Sequence, residues 1–234
     1  ECQIDSIAQS WAILSEAGNS QRATQSIESA YKRLVKQDPK LVLLFQPAFA
    51  KSDIDPGYVK LYPPGIRENG GHYTHAATWL VAAFAELGKG NRAFELFQYL
   101  SPIEHSLDEK NSYNYKVEPY AVSADIYSCP ERLGMGGWSW YTGSAGWLYR
   151  TAIEWILGFR LNGDHFVLQP CIPSSWKSFQ LLYRCGTSSY KIQVENPNGK
   201  ISGVSYLELN GTRLDGNQIP LDKTEKEYNV KVMM

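Results

Sequence analysis

Apolar residues recur at helical spacing through the first 158 residues and alternate with polar ones after Gly158, so the chain reads as α then β. Ile4, Ile7, Ala8, Trp11 and Leu14 form one stripe on a helix that stops near Gly18. A second helix from about Ser20 carries Ile27, Ala30, Tyr31 and Leu34 and ends before Asp38-Pro39, because a proline ring disfavours helix at the residue before it. These two should pair antiparallel. A third helix buries Ala76, Trp79, Leu80, Ala83, Phe84 and Leu87 and ends at Gly88; a fourth, from about Asn91, runs through Phe94, Phe97 and Leu100, giving a second hairpin. A fifth begins near Ser144, carries Trp147, Leu148, Ala152, Trp155 and Ile156, and ends at Gly158. Strands are expected at 165–169, 178–185, 189–195, 203–209 and 227–233, punctuated by Asn198-Gly199 and Asn210-Gly211, as a meander or sandwich of antiparallel strands. The boundary falls between Gly158 and Gly163.

Segments 37–71 and 101–143 are longer than ordinary connections and rich in Pro, Gly and Tyr. Loops of that length on a helical frame carry function or form structured surface excursions, and the clustered polar and aromatic residues favour function. Composition narrows the classes further. The 234 residues carry a formal net charge of −1 with 20% charged and 43% hydrophobic residues, which argues against disorder and against a nucleic-acid or membrane-surface partner. No apolar run is long enough for a membrane span, and no secretory leader is evident. Cys2, Cys129, Cys171 and Cys185 lack metal-ligand spacing and read as free thiols, with no metal expected. Aromatic content is high, at 13% with seven Trp and fifteen Tyr, and such rings either fill a core or stack on ligands.

No nucleophile elbow, P-loop, dinucleotide fingerprint or zinc-protease motif is present. Three local clusters remain. Residues 63–75 place Arg67, Glu68, Asn69, two adjacent glycines, His72 and His75 before a helix; glycine allows close backbone approach to a ligand, and the N–H groups of a helix start favour an anion. His75 would add a donor, although either imidazole also fits a buried, hydrogen-bonded role. Residues 136–147 place Thr142, Gly143 and Ser144 at another helix start, where hydroxyls cap the helix or join an anion site, and Trp138 and Trp140 in a glycine-rich loop suited to sugar stacking or to a core. Gln9 and Trp11 make an amide–indole pair of the kind that recognises sugars, or simply a helix face. Asp5 reads as a helix N-cap.

These residues lie in four ordered strings, "IDSIAQSWAILS" at 4–15, "DPGYVKLYPPGIRENGGHYTHAATW" at 55–79, "EPYAVSADIY" at 118–127 and "GGWSWYTGSAGWLYR" at 136–150. Together they resemble glycoside hydrolase family 94, the inverting phosphorylases, and within it the branch of 1,2-β-oligoglucan phosphorylases and the C-terminal region of cyclic β-1,2-glucan synthases. The resemblance implies the C-terminal part of an (α/α)6 helical toroid over 1–158, carrying the phosphate-site motifs, and a small antiparallel β-sandwich over 159–234. It places His75, Thr142 and Gly143 on phosphate and Glu68 in the sugar pocket; Gln9, Trp11, Trp138 and Trp140 stand beside them as substrate contacts suggested by residue type alone.

The implied chemistry is attack of inorganic phosphate on the anomeric carbon of a β-glucan oligosaccharide, giving α-glucose 1-phosphate. Phosphate is then a co-substrate, no other cofactor is expected, and one carboxylic acid suffices to protonate the leaving oxygen. The resemblance also implies partnership with an N-terminal remainder of the enzyme, a homodimer, and a place in the cytoplasm or on the cytoplasmic face of the inner membrane. Three departures stand out. Ala124 replaces the glutamine of cellobiose phosphorylases, Met135 replaces an arginine common in the β-1,2 branch, and the D-W-N-D string that holds the family's general acid is absent. The catalytic acid is therefore expected outside this chain, and the chain alone is expected to be inactive. The other readings are the phosphorylase-like region of a cyclic β-1,2-glucan synthase and a non-catalytic carbohydrate-binding or scaffold protein.

Overall fold

The computed structural model describes all residues except 52, 54, 141 and 225, and the side chain of Thr142. Its helices and strands fall into two compact units, residues 1–87 with 95–151 and residues 88–94 with 152–234. The description is α and β in that order, with six α-helices among the described residues.

In the first unit the helices are α1 (Ser6–Leu14), α2 (Ser20–Leu34), α3 (Thr74–Glu86), α5 (Glu109–Tyr115) and α6 (Thr142–Arg150), with the second half of α4 (Gly90–Tyr99). Asp5 caps α1 as expected, its Oδ1 accepting from the N–H groups of Ile7 at 2.7 Å and Ala8 at 3.3 Å. The buried face of α1 differs from the apolar stripe, however: Ser6, Ser10 and Ile13 are buried, while Ile7 and Trp11 are 36% and 41% exposed. Ile4 is not helical but pairs with Gln46 across β1 (Ile4–Asp5) and β4 (Phe45–Gln46). On α2 the buried set is Ala23, Ile27, Ala30 and Leu34, and the helix yields at Val35 to a short ladder of β2 (Val35–Lys36) with β3 (Leu41–Val42).

α3 is buried almost all round, the behaviour of an apolar helix at the centre of its unit, and packs against α1, α2 and α6. α4 follows α3 after the short connection 87–89, as the sequence predicts, and its first half, within residues 88–94, belongs to the second unit. The long 101–143 segment contains α5, and its residues 125–126 form β6 (Asp125–Ile126), which pairs antiparallel with β5 (His72–Tyr73). After Arg150 the α-helix continues as a π-helical stretch over Thr151–Ile156.

The second unit holds two sheets. One has the order β12 (Thr212–Leu214), β11 (Tyr206–Leu209), β14 (Glu227–Met233), β10 (Ser188–Glu195), β9 (Ser178–Cys185); the other has β13 (Gln218–Pro220), β8 (His165–Leu168), β7 (Phe159–Asn162). Phe159, Phe166, Tyr183 and Tyr190 bring the two sheets into ring contact at 4.8–5.9 Å. Asn210-Gly211 forms the β11–β12 turn with φ of +51° and +80°, as its sequence predicts. The antiparallel expectation fails at one place: β14 runs parallel to β10. Period-two alternation specifies which face a residue takes but not the direction of the neighbouring strand.

Candidate active site

His75 stands in the first turn of α3, and no side chain caps that helix at Tyr73. The strand leading into it is held by the β5–β6 pair and by the Thr74 N–H donating to the Ala124 carbonyl at 3.0 Å. α6 brings Gly143 to the same place: a Cβ there would lie 3.7 Å from His75 Nδ1, so glycine leaves the imidazole open on that side. The His75 ring lies 4.8 Å from Trp79 and 6.0 Å from Trp147, and Trp79 in turn meets Trp11 edge-on at 5.5 Å. Burial in this aromatic cluster lowers the His75 pKa, so the ring is neutral near pH 7 and presents one N–H. Its Nε2 is buried and makes no hydrogen bond among the described residues. The Thr142 side chain lies outside the described atoms, although its backbone opens α6.

The other imidazole of the same string serves the fold. His72 is fully buried, and its Nδ1 accepts the Val42 N–H at 2.9 Å. Asn69 is equally structural: its Nδ2 donates to the carbonyls of Phe49 and Tyr62, and its Oδ1 accepts from the Phe49 N–H. The glycines are explained by their own loop. A Cβ at Gly65 would lie 2.5 Å from Cys129 N, and one at Gly71 would lie 2.9 Å from the Arg67 carbonyl oxygen. These contacts pack the loop closely on itself and on residues 128–129.

Glu68, Arg67 and Trp138 gather in a second group. Arg67 Nε lies 3.7 Å from Glu68 Oε2, and the Arg67 guanidinium sits 3.8 Å over the Trp138 ring. Two backbone bonds link this group to the His75 strand, Ala124 N–H to the Trp138 carbonyl at 2.6 Å and Thr74 N–H to the Ala124 carbonyl. Trp140 makes a different set of contacts: its Nε1 donates to Glu118 at 3.1 Å, it meets Tyr120 edge-on, and it remains 68% exposed. Its φ of +62° is rare for a bulky residue. Gln9 is half-buried on α1, and among the described residues no hydrogen bond ties it to either group.

Sequence reasoning passed over Trp79, Glu118 and Asp125. Trp79 packs against the Leu44, Phe45 and Ala76 core as its helix face predicts, and it also joins Trp11 to His75, for which the i to i+4 spacing of His75 and Trp79 on one helix is the available signal. Asp125 and Glu118 lie inside the string 118–127 but carry no spacing motif of their own. Among the described residues no group of acidic, His and Cys side chains could hold a metal, and no helix is long and apolar enough to cross a membrane.

The helical unit thus holds His75 at the start of α3 near Gly143 of α6, and a separate group of Glu68, Arg67 and Trp138. Residues 1–158 match the model of the glycosyl hydrolase 94 superfamily catalytic domain, and the chain belongs to that family. It is 46% identical over 212 residues, 91% of its length, to cyclic beta-(1,2)-glucan synthase NdvB of Rhizobium meliloti (strain 1021). It is 31% identical over 87% of its length to the N,N'-diacetylchitobiose phosphorylase of Vibrio furnissii, and 29% identical over 97% to the solabiose phosphorylase of Paenibacillus borealis. The chain spans 7%, 25% and 29% of those three proteins.

Proposed function

We propose that this chain is the C-terminal portion of an inverting β-glucan phosphorylase, with the phosphate half of the site built from His75, Thr142 and Gly143 and the sugar half from Glu68, Trp138, Trp140, Trp11 and Gln9. The observation that carries the reading is the convergence of the His75 imidazole and the Gly143 start of α6. Helix-start N–H groups and an imidazole N–H are the donors that an oxyanion needs. In the reaction a phosphate oxygen bonds to the anomeric carbon as the bond to the leaving oxygen breaks. That oxygen takes a proton from a carboxylic acid supplied outside this chain, and the product is α-glucose 1-phosphate. Residues 1–158 are the closing arc of an (α/α)6 toroid and 159–234 its terminal β-sandwich. The substrate is a β-1,2-linked glucan, and phosphate is the co-substrate.

Calorimetric titration with inorganic phosphate tests this. The chain should bind phosphate, and His75→Ala should weaken it at least about tenfold, the loss expected for one hydrogen bond to a charged group. Oligosaccharide binding that neither phosphate nor His75→Ala affects would instead establish a non-catalytic carbohydrate-binding protein. Glucose 1-phosphate release by the 234 residues alone would overturn the assignment of the acid to another segment.

A second reading is favoured by the higher identity to the cyclic glucan synthase than to the phosphorylases above. In it, the same site adjusts glucan length within a longer chain at the inner membrane. Membrane-spanning segments and a glycosyltransferase encoded upstream in the same reading frame would select it.

A further inference from the structure

Among the described residues Asp125 is the one fully buried acidic side chain, 1% exposed, and the reaction above gives it no part. Three segments meet on it. Its Oδ2 accepts the Arg67 N–H at 3.2 Å. Its main-chain carbonyl accepts the Gly137 N–H at 2.8 Å, and a Cβ at Gly137 would lie 2.1 Å from its Oδ1, so only glycine lets that segment lie on the carboxylate. β-pairing sets it opposite Tyr73, two residues before His75.

The Arg67 bond bears on conformation as well as contact. Arg67 has a φ of +49°, in the left-handed region that residues with a side chain seldom adopt. An acceptor fixed at its N–H favours that turn over the relaxed alternatives. The turn lays the guanidinium over Trp138 and brings Nε toward Glu68.

We propose that Asp125 is the positioning residue of the sugar pocket: its carboxylate locks the left-handed turn at Arg67 and seats the Gly137–Trp138 segment, so that Glu68 and Trp138 meet a β-linked glucose unit in one fixed geometry. Asp125 acts through these groups and does not touch the sugar. The proposal rests on reading Glu68 and Trp138 as sugar contacts. The charged and titratable groups that act on or around Asp125 are Arg67, Glu68 and Tyr127. Burial raises its pKa, while the Arg67 charge and the N–H groups of Arg67 and Trp138 oppose that rise. The ionised form therefore holds Arg67 more strongly than the protonated acid, which keeps one acceptor but loses the charge attraction.

The test uses the 234-residue chain and the variants Asp125→Ala, Asp125→Asn and Gly137→Ala, each first checked for a cooperative thermal transition. The ring current of Trp138 on the Arg67 side chain, read by NMR, reports the turn directly, and calorimetry with sophorose and with phosphate reports its consequence. Asp125→Ala and Gly137→Ala should abolish the ring-current shift and weaken sophorose at least about tenfold, with phosphate changed less than about twofold. Asp125→Asn keeps shape and one acceptor; it should fall between, and the acid titration of the shift seen in the unaltered chain should disappear. If Asp125→Ala does not fold, the other two variants decide. A ring-current shift that survives in the folded variants overturns the proposal. A shift that is lost in a chain that never bound sophorose leaves the lock on Arg67 standing and removes the sugar reading of the pocket.

Discussion

His72 and His75 stand three residues apart and face opposite demands. His75 is part-buried, whereas His72 is a neutral acceptor sealed in the core, with its pKa lowered to about 3 by burial and by the neighbouring His105. The sign of the pH dependence follows. Between about pH 6.5 and 3 the unfolded chain takes up a proton at His72 that the folded chain refuses, so stability falls with acid through that window and is unaffected above it. Denaturant unfolding at stepped pH should show a loss of several kcal/mol from pH 7 toward pH 4, at roughly 1.4 kcal/mol per unit for this site. His72→Gln should be less stable at pH 7 and show a shallower slope; an unchanged slope would remove His72 as the cause. Asn69→Ala leaves the Phe49 N–H and two carbonyls unpaired and should cost about 2–4 kcal/mol by thermal or chemical denaturation. The sequence offered His72, Asn69, Glu68 and His75 as one polar run. Only the fold separates the hydrogen-bonded Asn69 and the sealed His72 from Glu68 and His75, because residue type does not give the partners a side chain meets.

Helix existence was legible where apolar residues recur and capping chemistry is present, as at Asp5 before α1 and Gly88 after α3. The choice of face was not. On α1 the larger apolar residues Ile7 and Trp11 lie outward, while Ser6 and Ser10 face the unit interior; the Ser10 hydroxyl donates to the Ser6 carbonyl at 2.6 Å. Ser10 is satisfied within its own helix, and both serines are small enough to let α1 and α3 approach closely. A hydrophobicity pattern cannot register that solution. It has a measurable consequence: Ile13→Ala should destabilise by about 2–4 kcal/mol and Ile7→Ala by under about 1 kcal/mol, although the two deletions are chemically identical. Equal losses would restore the apolar stripe as the packing face. α5 escaped notice for a related reason. Glu109–Tyr115 has too few apolar positions to show a period, and its visible signal was the cap, Asp108 accepting the Asn111 N–H at 2.9 Å.

At the scale of the molecule, the change of hydrophobic period marks where helices give way to strands, but not that residues 88–94 belong with the strands, and the way the second unit is closed depends on β14. β14 lies in the middle of the five-stranded sheet, between β10 and β11, and buries Val230 and Val232; the adjoining Met234 is buried too. Its C-terminal end is tied on both sides, Ser205 N–H to the Met233 carbonyl at 2.7 Å and Met234 N–H to the Glu195 carbonyl at 3.0 Å. Without β14 the sheet divides into the β9–β10 and β11–β12 hairpins, and two-stranded pieces are marginal in water. A chain cut after Lys226 should therefore lose slow amide hydrogen exchange across residues 178–195. Amides of α3 should keep theirs, since α3 packs on α1, α2 and α6 within the first unit. Exchange measured by mass spectrometry resolves the two regions in one experiment. Persistent protection of 178–195 would show that β9 and β10 are held by the β7–β8 side alone. Loss in both regions would show that the helical unit, with His75 and Glu68 in it, depends on the sheet unit for its stability. In that case the phosphate titration would have to be read on the full chain only.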